Sequence, residues 1–177
     1  FGLLRDPYER VVALFRGNFT HYGGNYTHFQ KTCDVNGAVK QMLREHVLAG
    51  KKYAHGCTFT PQAEYFEGDY GIELPVNNRE FPKSMNDIFH AKGYSDFKID
   101  TEDIFDVSGC PEIWAGDLDA EAKKLVRQAY AADFELLCKH FGHCDKEENT
   151  CIYQIPGLCP KRVIAAGYQG KAIPALK

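Results

Sequence analysis

The alternation of apolar and polar positions predicts a short strand at the start of the chain, followed at once by an amphipathic helix. Residues 1–4 form an apolar run typical of a buried strand. Asp6, Pro7 and Glu9 follow as a helix-start signal, since Asp caps helices, Pro suits the first helical position and Glu is favoured three residues after a cap. The helix is expected to run to about Asn18, with one core-facing stripe made of Val11, Val12, Leu14 and Phe15.

Helical spacing predicts further helices later in the chain. Residues 37–48 form a second amphipathic segment, which Gly50 is expected to stop. A short helix capped by Ser84 is expected to reach His90, and residues 97–99 are expected to be briefly extended. The strongest prediction is one long helix over residues 120–141, capped by Asp119 and ended by Gly142.

Between the second and third helices, residues 51–78 mix Gly, Pro, Thr and aromatic residues without sustained periodicity. This composition predicts loop and short extended pieces. Residues 143–177 are expected to form an irregular, cysteine-containing tail, which leaves residues 1–142 as the folded unit. Together the elements favour an α/β fold that is rich in helix.

Length and charge narrow the function classes. The chain has 177 residues, 44% of them hydrophobic, which favours one globular domain with a real core. Its formal net charge of −3 gives no support for general nucleic-acid binding, so any anion site must be local. No apolar run approaches the roughly 20 residues of a membrane-spanning helix. Because a strand begins directly at Phe1, we expect further sequence upstream of it.

The seven cysteines favour an oxidising compartment and therefore disulfide bonds. Four of them lie between residues 138 and 159, where an irregular chain needs covalent cross-links, and the odd count leaves one unpaired within this chain. Asn18 and Asn25 each begin an Asn-x-Thr sequon, so both are candidate glycosylation sites. The cluster of Cys138, His140, His143 and Cys144 matches no zinc spacing, so disulfides are favoured and no metal is expected.

Arg5 is the first candidate for chemistry. It lies between the opening strand and the capped helix, where free backbone N–H groups and a guanidinium would together bind a phosphate. The alternative is that Arg5 pairs with a local carboxylate, Asp6 or Glu9, and merely holds the turn. Arg10 and Arg16 are predicted to lie outside the apolar stripe of the same helix.

The segment Arg5-Asp-Pro-Tyr-Glu-Arg10, with Arg16 behind it, resembles the 3′-phosphate-binding motif of Golgi carbohydrate sulfotransferases. A second segment, Tyr130-Ala-Ala-Asp-Phe-Glu135, is similar to the Tyr-x-x-Asp-Phe-Glu sequence on the last long helix of that family. Between them, the segment from His55 to Gln62, which ends in Thr-Pro-Gln, is similar to a His-x-Pro-Gln element of some members. The resemblance covers most of residues 1–142 and is specific at its two ends.

This resemblance implies a three-layer fold with a parallel sheet, related to P-loop nucleotide kinases and only partly contained in this chain. It implies transfer of a sulfonate group from 3′-phosphoadenosine 5′-phosphosulfate (PAPS) to a sugar hydroxyl or amine, releasing adenosine 3′,5′-bisphosphate (PAP). Arg5 would contact the 3′-phosphate, with Arg10 and Arg16 as supporting cations. The implied address is the Golgi lumen, with a type II membrane anchor upstream and a glycan or glycoprotein as acceptor.

The chain departs from the family pattern at Ala13, where the family has a Ser that also binds the 3′-phosphate. The loop that holds the 5′-phosphosulfate, and in several members the catalytic base, precede the arginine motif and are therefore expected upstream. Within the chain His55 is the candidate for a base.

The sequence is also compatible with two other interpretations. One is a catalytically inactive module of the same fold that binds a glycan or nucleotide, and the other is a small disulfide-stabilised secreted protein. Tyr130 and Asp133 are expected to be architectural, since three-residue spacing on a helix suits a buried hydrogen bond. A metal role for Asp117 and Asp119 is rejected because Asp119 serves as a helix cap.

Overall fold

A computed structural model describes residues 1–17, 27–101 and 109–168 of the chain. Its two strands are β1 (Gly2–Leu4) and β2 (Pro75–Asn77). Its α-helices are α1 (Pro7–Arg16), α2 (Thr27–Thr32), α3 (Val35–Met42), α4 (Ala54–Cys57), α5 (Lys83–Ala91), α6 (Ala120–Ala129), α7 (Ala131–Phe141) and α8 (Lys161–Ala165). A π-helical turn, Leu43–Val47, extends α3, and short 3₁₀ turns cover Gln62–Tyr65, Asn78–Glu80 and Ala115–Asp117.

The two described strands pair in parallel, with Leu3 opposite Val76. The predicted opening strand is therefore confirmed, and the expected mixture of sheet and helix is present. Parallel strands need a long crossover connection, and here that connection contains α1 through α4. The carboxyl ends of both strands lead into helical turns, at Pro7 and at Asn78.

The main core lies around α1. Its apolar face packs against α3 and α6, and the buried residues of this core include Tyr8, Val12, Val39 and Val126, together with Phe134 of α7. The predicted stripe of α1 is confirmed at Val11, Val12 and Phe15, while Leu14 is partly buried. Among the described residues no helix is both long and apolar enough to cross a membrane.

The long helix expected over residues 120–141 is in fact two helices, which is a correction. Tyr130 separates α6 from α7 with φ −121° and ψ 33°, outside the helical region. The predicted limits hold, because the Asp119 side chain accepts from the Ala122 amide and Gly142 ends α7 at φ +72°. The break has a structural reason: it turns α7 so that Asp133 faces the turn at Gln62, as described below.

One smaller expectation is wrong. Ser84 does not cap α5, because Pro82 occupies the cap position and the Ser84 hydroxyl donates to the Asn77 carbonyl instead. Residues 97–99 lie outside the described strands, and the backbone amide and carbonyl of Ile99 form hydrogen bonds with the Asn86 side chain. These bonds satisfy backbone groups that have no partner in a strand pair.

The disulfides agree with the expectation from the cysteine count. The bonds are Cys33–Cys110, Cys138–Cys144 and Cys151–Cys159, and Cys57 is left free and exposed. The four cysteines between 138 and 159 thus pair with their own neighbours. The second of these local bonds closes a loop that lies against α1.

Candidate anion site

Asp6 begins α1 and shapes the site around its N-terminus. Its carboxylate accepts hydrogen bonds from the amides of Tyr8 and Glu9, at 2.9 and 3.1 Å, as the sequence predicted for a cap. The carboxyl group is buried, and burial raises its pKa to about 7, although the two amides and the guanidinium of Arg79 oppose that rise. Arg79 lies 3.9 Å from Asp6 and 2.6 Å from Glu148, so it links the tail to the start of the helix.

Arg5 pairs with Glu9, one helical turn along α1. Its Nε and Nη2 both donate to the same Glu9 oxygen, at 3.2 and 2.9 Å. The local ion pair that sequence reasoning held as the alternative is therefore present. The Arg5 side chain is 27% exposed, whereas that of Glu9 is 8% exposed. Thr150 donates from its hydroxyl to the other Glu9 oxygen at 3.4 Å, so the carboxylate is held from two sides.

Arg5 and Arg16, two of the candidate arginines, line one small cleft together with Ala13, where the resembling family has a Ser. Its other walls come from α1 and from the segments that cover it: Glu9, Val12, Trp114, Ala115, Thr150, Cys151 and Leu158. The free volume is about 20 Å³, which is room for one water molecule and too little for a phosphate group. Anion binding here therefore requires Glu9 or the covering loop to move.

Arg16 is buried, a feature that its predicted place outside the apolar stripe gave no indication of. Its guanidinium donates to the carbonyls of Leu158 and Gly157 at 2.6 and 2.7 Å, and to that of Pro111 at 3.4 Å. These acceptors belong to segments about 100 residues or more away in sequence, so the helix pattern alone gave no sign of them. The Cys151–Cys159 loop supplies both of the shorter contacts.

Arg10 faces another part of the molecule. It donates from Nη2 to the carbonyls of Thr58 and Thr60 at 3.1 and 2.8 Å, and its Nη1 lies 3.7 Å from Asp133. Its guanidinium also lies over the Tyr130 ring, 5.4 Å from the ring centre. Arg10 does not line the cleft that Arg5 and Arg16 share. Arg10 therefore connects α1 with the Thr58–Thr60 segment and with α7.

Asp133 is fully buried and confirms the architectural role predicted for it. Its two oxygens accept from the amides of Gln62 and Ala63 at 3.0 and 2.8 Å, at the start of the Gln62–Tyr65 turn. Burial raises the pKa of this carboxyl, and the two amides and Arg10 counteract the rise. The role predicted for Tyr130 is also supported, since its hydroxyl donates to the Phe59 carbonyl at 3.2 Å.

Gln62 connects this buried carboxylate to the cleft. Its side-chain oxygen accepts from the Arg5 amide at 3.0 Å and its Nε2 donates to the Arg5 carbonyl at 2.8 Å. The backbone of Arg5 is thus fixed on both sides by one side chain, which Asp133 in turn holds. In the sequence, only the Thr-Pro-Gln context points to Gln62. Hydrophobic periodicity gives no indication of a hydrogen bond between polar groups that are distant in the chain.

His55 lies in α4, exposed, with its ring centre 5.0 Å from that of His46 and 5.9 Å from that of Phe59. Its φ of +55° and ψ of 46° place it in the left-handed region. It is not among the residues that line the cleft. The two sequon asparagines, Asn18 and Asn25, lie outside the described residues.

The remaining candidates for metal chemistry have other partners. Cys138 and Cys144 form a disulfide, as favoured from the sequence. Asp117 accepts from the Trp114 amide at 3.0 Å and pairs with Arg162, while Asp119 caps α6 and pairs with Lys40. In the described ranges no cluster of three or more His, Cys, Asp or Glu side chains could hold a metal ion.

Comparison with protein-family models, with curated proteins and with solved structures finds no match to this chain.

Proposed function

We propose that this chain is part of a sulfotransferase that moves a sulfonate group from PAPS to a hydroxyl or amine of a carbohydrate, releasing PAP. The observation that carries the proposal is the meeting of three separate sequence segments at Arg5. The arginine motif, the Thr-Pro-Gln element and the Tyr-x-x-Asp-Phe-Glu motif are linked through Gln62 and Asp133. The first and last of these segments are the two ends at which the resemblance to Golgi carbohydrate sulfotransferases is specific.

In this proposal Arg5 contacts the 3′-phosphate of PAPS. It follows a strand of a parallel pair and precedes the N-terminus of α1, and a guanidinium beside a helix N-terminus is suited to a phosphate. Arg16 contributes positive charge from the wall of the same cleft. Arg10 supports the site from behind, because it holds α1 to the turn that positions Arg5.

The chemistry requires more than this cleft. The acceptor oxygen attacks sulfur, the bond from sulfur to the 5′-phosphate oxygen of PAP breaks, and a base takes the acceptor proton. A cation must stabilise the bridging oxygen as PAP leaves. We propose that the loop that carries this cation lies upstream of Phe1, within a three-layer sheet related to P-loop kinases, and that β1 and β2 belong to that sheet. His55 remains the candidate base within the chain.

The disulfides support a lumenal address for the proposed enzyme. Three cysteine pairs are oxidised, which is typical of secretory proteins and rare in the cytosol. We propose the Golgi lumen, with a glycan or glycoprotein as acceptor and a type II membrane anchor upstream. The sequons at Asn18 and Asn25 belong to the same proposal.

The test is sulfonate transfer by the complete protein from PAPS labelled in its sulfonate group to a panel of glycans, with retention on immobilised PAP measured in parallel. We expect a labelled glycan and retention, both of which Arg5→Ala abolishes. Arg44→Ala removes an exposed arginine that pairs with Glu121 and serves as the matched control. Retention without transfer would instead favour an inactive nucleotide-binding module, and absence of both would end the sulfotransferase proposal.

A further inference from the structure

We infer that Glu9 is a built-in competitor for Arg5, so that an anion enters the cleft by exchange with the Glu9 carboxylate. The inference rests on the proposed function, because it concerns the same site. It adds a residue that sets the affinity for the phosphate and that the arginine motif alone does not reveal.

Glu9 binds the part of Arg5 that a phosphate would bind. A guanidinium binds carboxylate and phosphate through the same fork of N–H groups, so one ligand excludes the other. Both Nε and Nη2 of Arg5 already donate to Glu9. The carboxylate lines the same cleft as Ala13 and Arg16, and so occupies the side of Arg5 that an incoming anion must reach.

Glu9 and Arg5 are held in place by different contacts. Glu9 is buried, and its other oxygen accepts from Thr150, which belongs to the segment covering the cleft. Arg5 is fixed at its backbone by Gln62 but keeps a partly exposed guanidinium. Exchange therefore requires rotation of the Arg5 or Glu9 side chain, while the backbone of Arg5 stays in place.

Arg16, the other cation of the cleft, also has acceptors within the protein. Arg16 donates to carbonyls of Gly157 and Leu158 in the disulfide-closed loop 151–159, which forms the outer wall. Both arginines thus have acceptors from the protein itself, and the cleft is closed to about the size of one water. The acceptors of Arg16 are backbone carbonyls, whereas the acceptor of Arg5 is the Glu9 side chain. Only Glu9 can therefore be changed directly by substitution.

The experiment is a titration of the complete protein with PAP, comparing the wild type with Glu9→Gln. The amide keeps the shape of the side chain but removes its charge, so we expect PAP to bind about tenfold more tightly, which corresponds to about 1.4 kcal/mol. Glu121→Gln is the matched control, because Glu121 also pairs with cationic side chains but on α6. Its PAP affinity should equal that of the wild type.

A second readout does not depend on nucleotide. Phenylglyoxal modifies accessible guanidinium groups, and the modified arginines can be identified by mass spectrometry. We expect Arg5 to react slowly in the wild type and several times faster in Glu9→Gln, with Arg44 reacting equally in both. Thr150→Val is the second variant, which releases one side of Glu9 while leaving its charge, and it should give a smaller change in the same direction.

The outcomes separate the two ideas. Tighter PAP binding by Glu9→Gln supports the competitor role. Equal or weaker binding by Glu9→Gln, with wild-type binding that Arg5→Ala abolishes, overturns it and leaves the sulfotransferase proposal standing. If neither protein binds PAP, the proposed function fails, and the labelling rate decides about Glu9: faster reaction of Arg5 supports the competitor role, and equal rates overturn it.

Discussion

Two arginines of the same motif, Arg5 just before α1 and Arg10 on it, lie in two different environments. Arg10 binds the carbonyls of Thr58 and Thr60 and lies close to the fully buried Asp133. Arg5 instead binds the carboxylate of Glu9 in a partly exposed cleft. Backbone carbonyls cannot rotate away from a guanidinium, whereas a side-chain carboxylate can.

The difference distinguishes a set of structural residues from the ligand site. We call Arg10, Asp133 and Gln62 the frame. Asp133 accepts hydrogen bonds from Gln62 and lies 3.7 Å from the Arg10 guanidinium, so these three residues form one connected polar set. The pair of Arg5 and Glu9 rests on this frame but is not part of it. Changes on the frame side should therefore act on stability, and changes on the cleft side should act on anion binding.

The largest effect is expected from Asp133→Ala. The variant leaves the amides of Gln62 and Ala63 without their acceptor and removes the carboxylate beside Arg10, so we expect a loss of about 3–5 kcal/mol in the free energy of unfolding. Urea unfolding measures it. Glu135→Ala, two residues along α7 and exposed, should change stability by less than about 0.5 kcal/mol. Similar losses in both variants would show that Asp133 is not a special support.

The next effect concerns the covering loop. Replacing Cys151 and Cys159 by Ser opens a loop with a sequence separation of 8 and should cost about 2.5 kcal/mol on loop-entropy grounds. Amide hydrogen exchange should rise most in residues 150–158, while the amides of Gln62 and Ala63 stay protected. The matched control opens the Cys138–Cys144 bond, whose separation is 6. Equal exchange of residues 150–158 in both variants would argue against a loop held over the cleft by its own disulfide.

A smaller effect is expected from Asp6→Asn, and it depends on pH. Because the folded-state pKa of Asp6 is raised from 3.8 to about 7, the folded protein retains this proton at pH values where the unfolded chain has lost it. The free energy of unfolding should therefore decrease as pH rises from about 4 to about 7. Asn keeps the cap without the charge, so the variant should lack that decrease. Urea unfolding at a series of pH values compares the two profiles, and parallel profiles would contradict the buried, protonated Asp6.

Local signals in the sequence were sufficient for the start of the fold. The strand before Arg5, the Asp6 cap and Pro7 are adjacent in the chain, and each depends on short-range geometry that residue type determines. The same holds for the Asp119 cap and for Gly142 at the end of α7. The sequence also located four cysteines between residues 138 and 159, whereas their pairing is known only from the structure.

What could not be predicted depends on contacts between distant segments. The break at Tyr130 interrupts a segment with strong helix propensity, and its reason lies in Gln62, about 70 residues earlier. Arg16 is buried because carbonyls of the loop 151–159 reach it, and no helical pattern records that. The pairing of Arg5 with a local carboxylate, Asp6 or Glu9, was foreseen as an alternative because an arginine near an acidic helix cap is common, and the structure shows Glu9 as the partner.

The most direct test of the account is the PAP affinity of Arg5→Ala, measured by calorimetric titration of the complete protein alongside the wild type. Arg5 is placed on the cleft side, so the variant should unfold within about 1 kcal/mol of the wild type but bind PAP at least about tenfold more weakly. Unchanged PAP affinity in a folded Arg5→Ala protein would contradict the claim that this arginine is the phosphate ligand of the site.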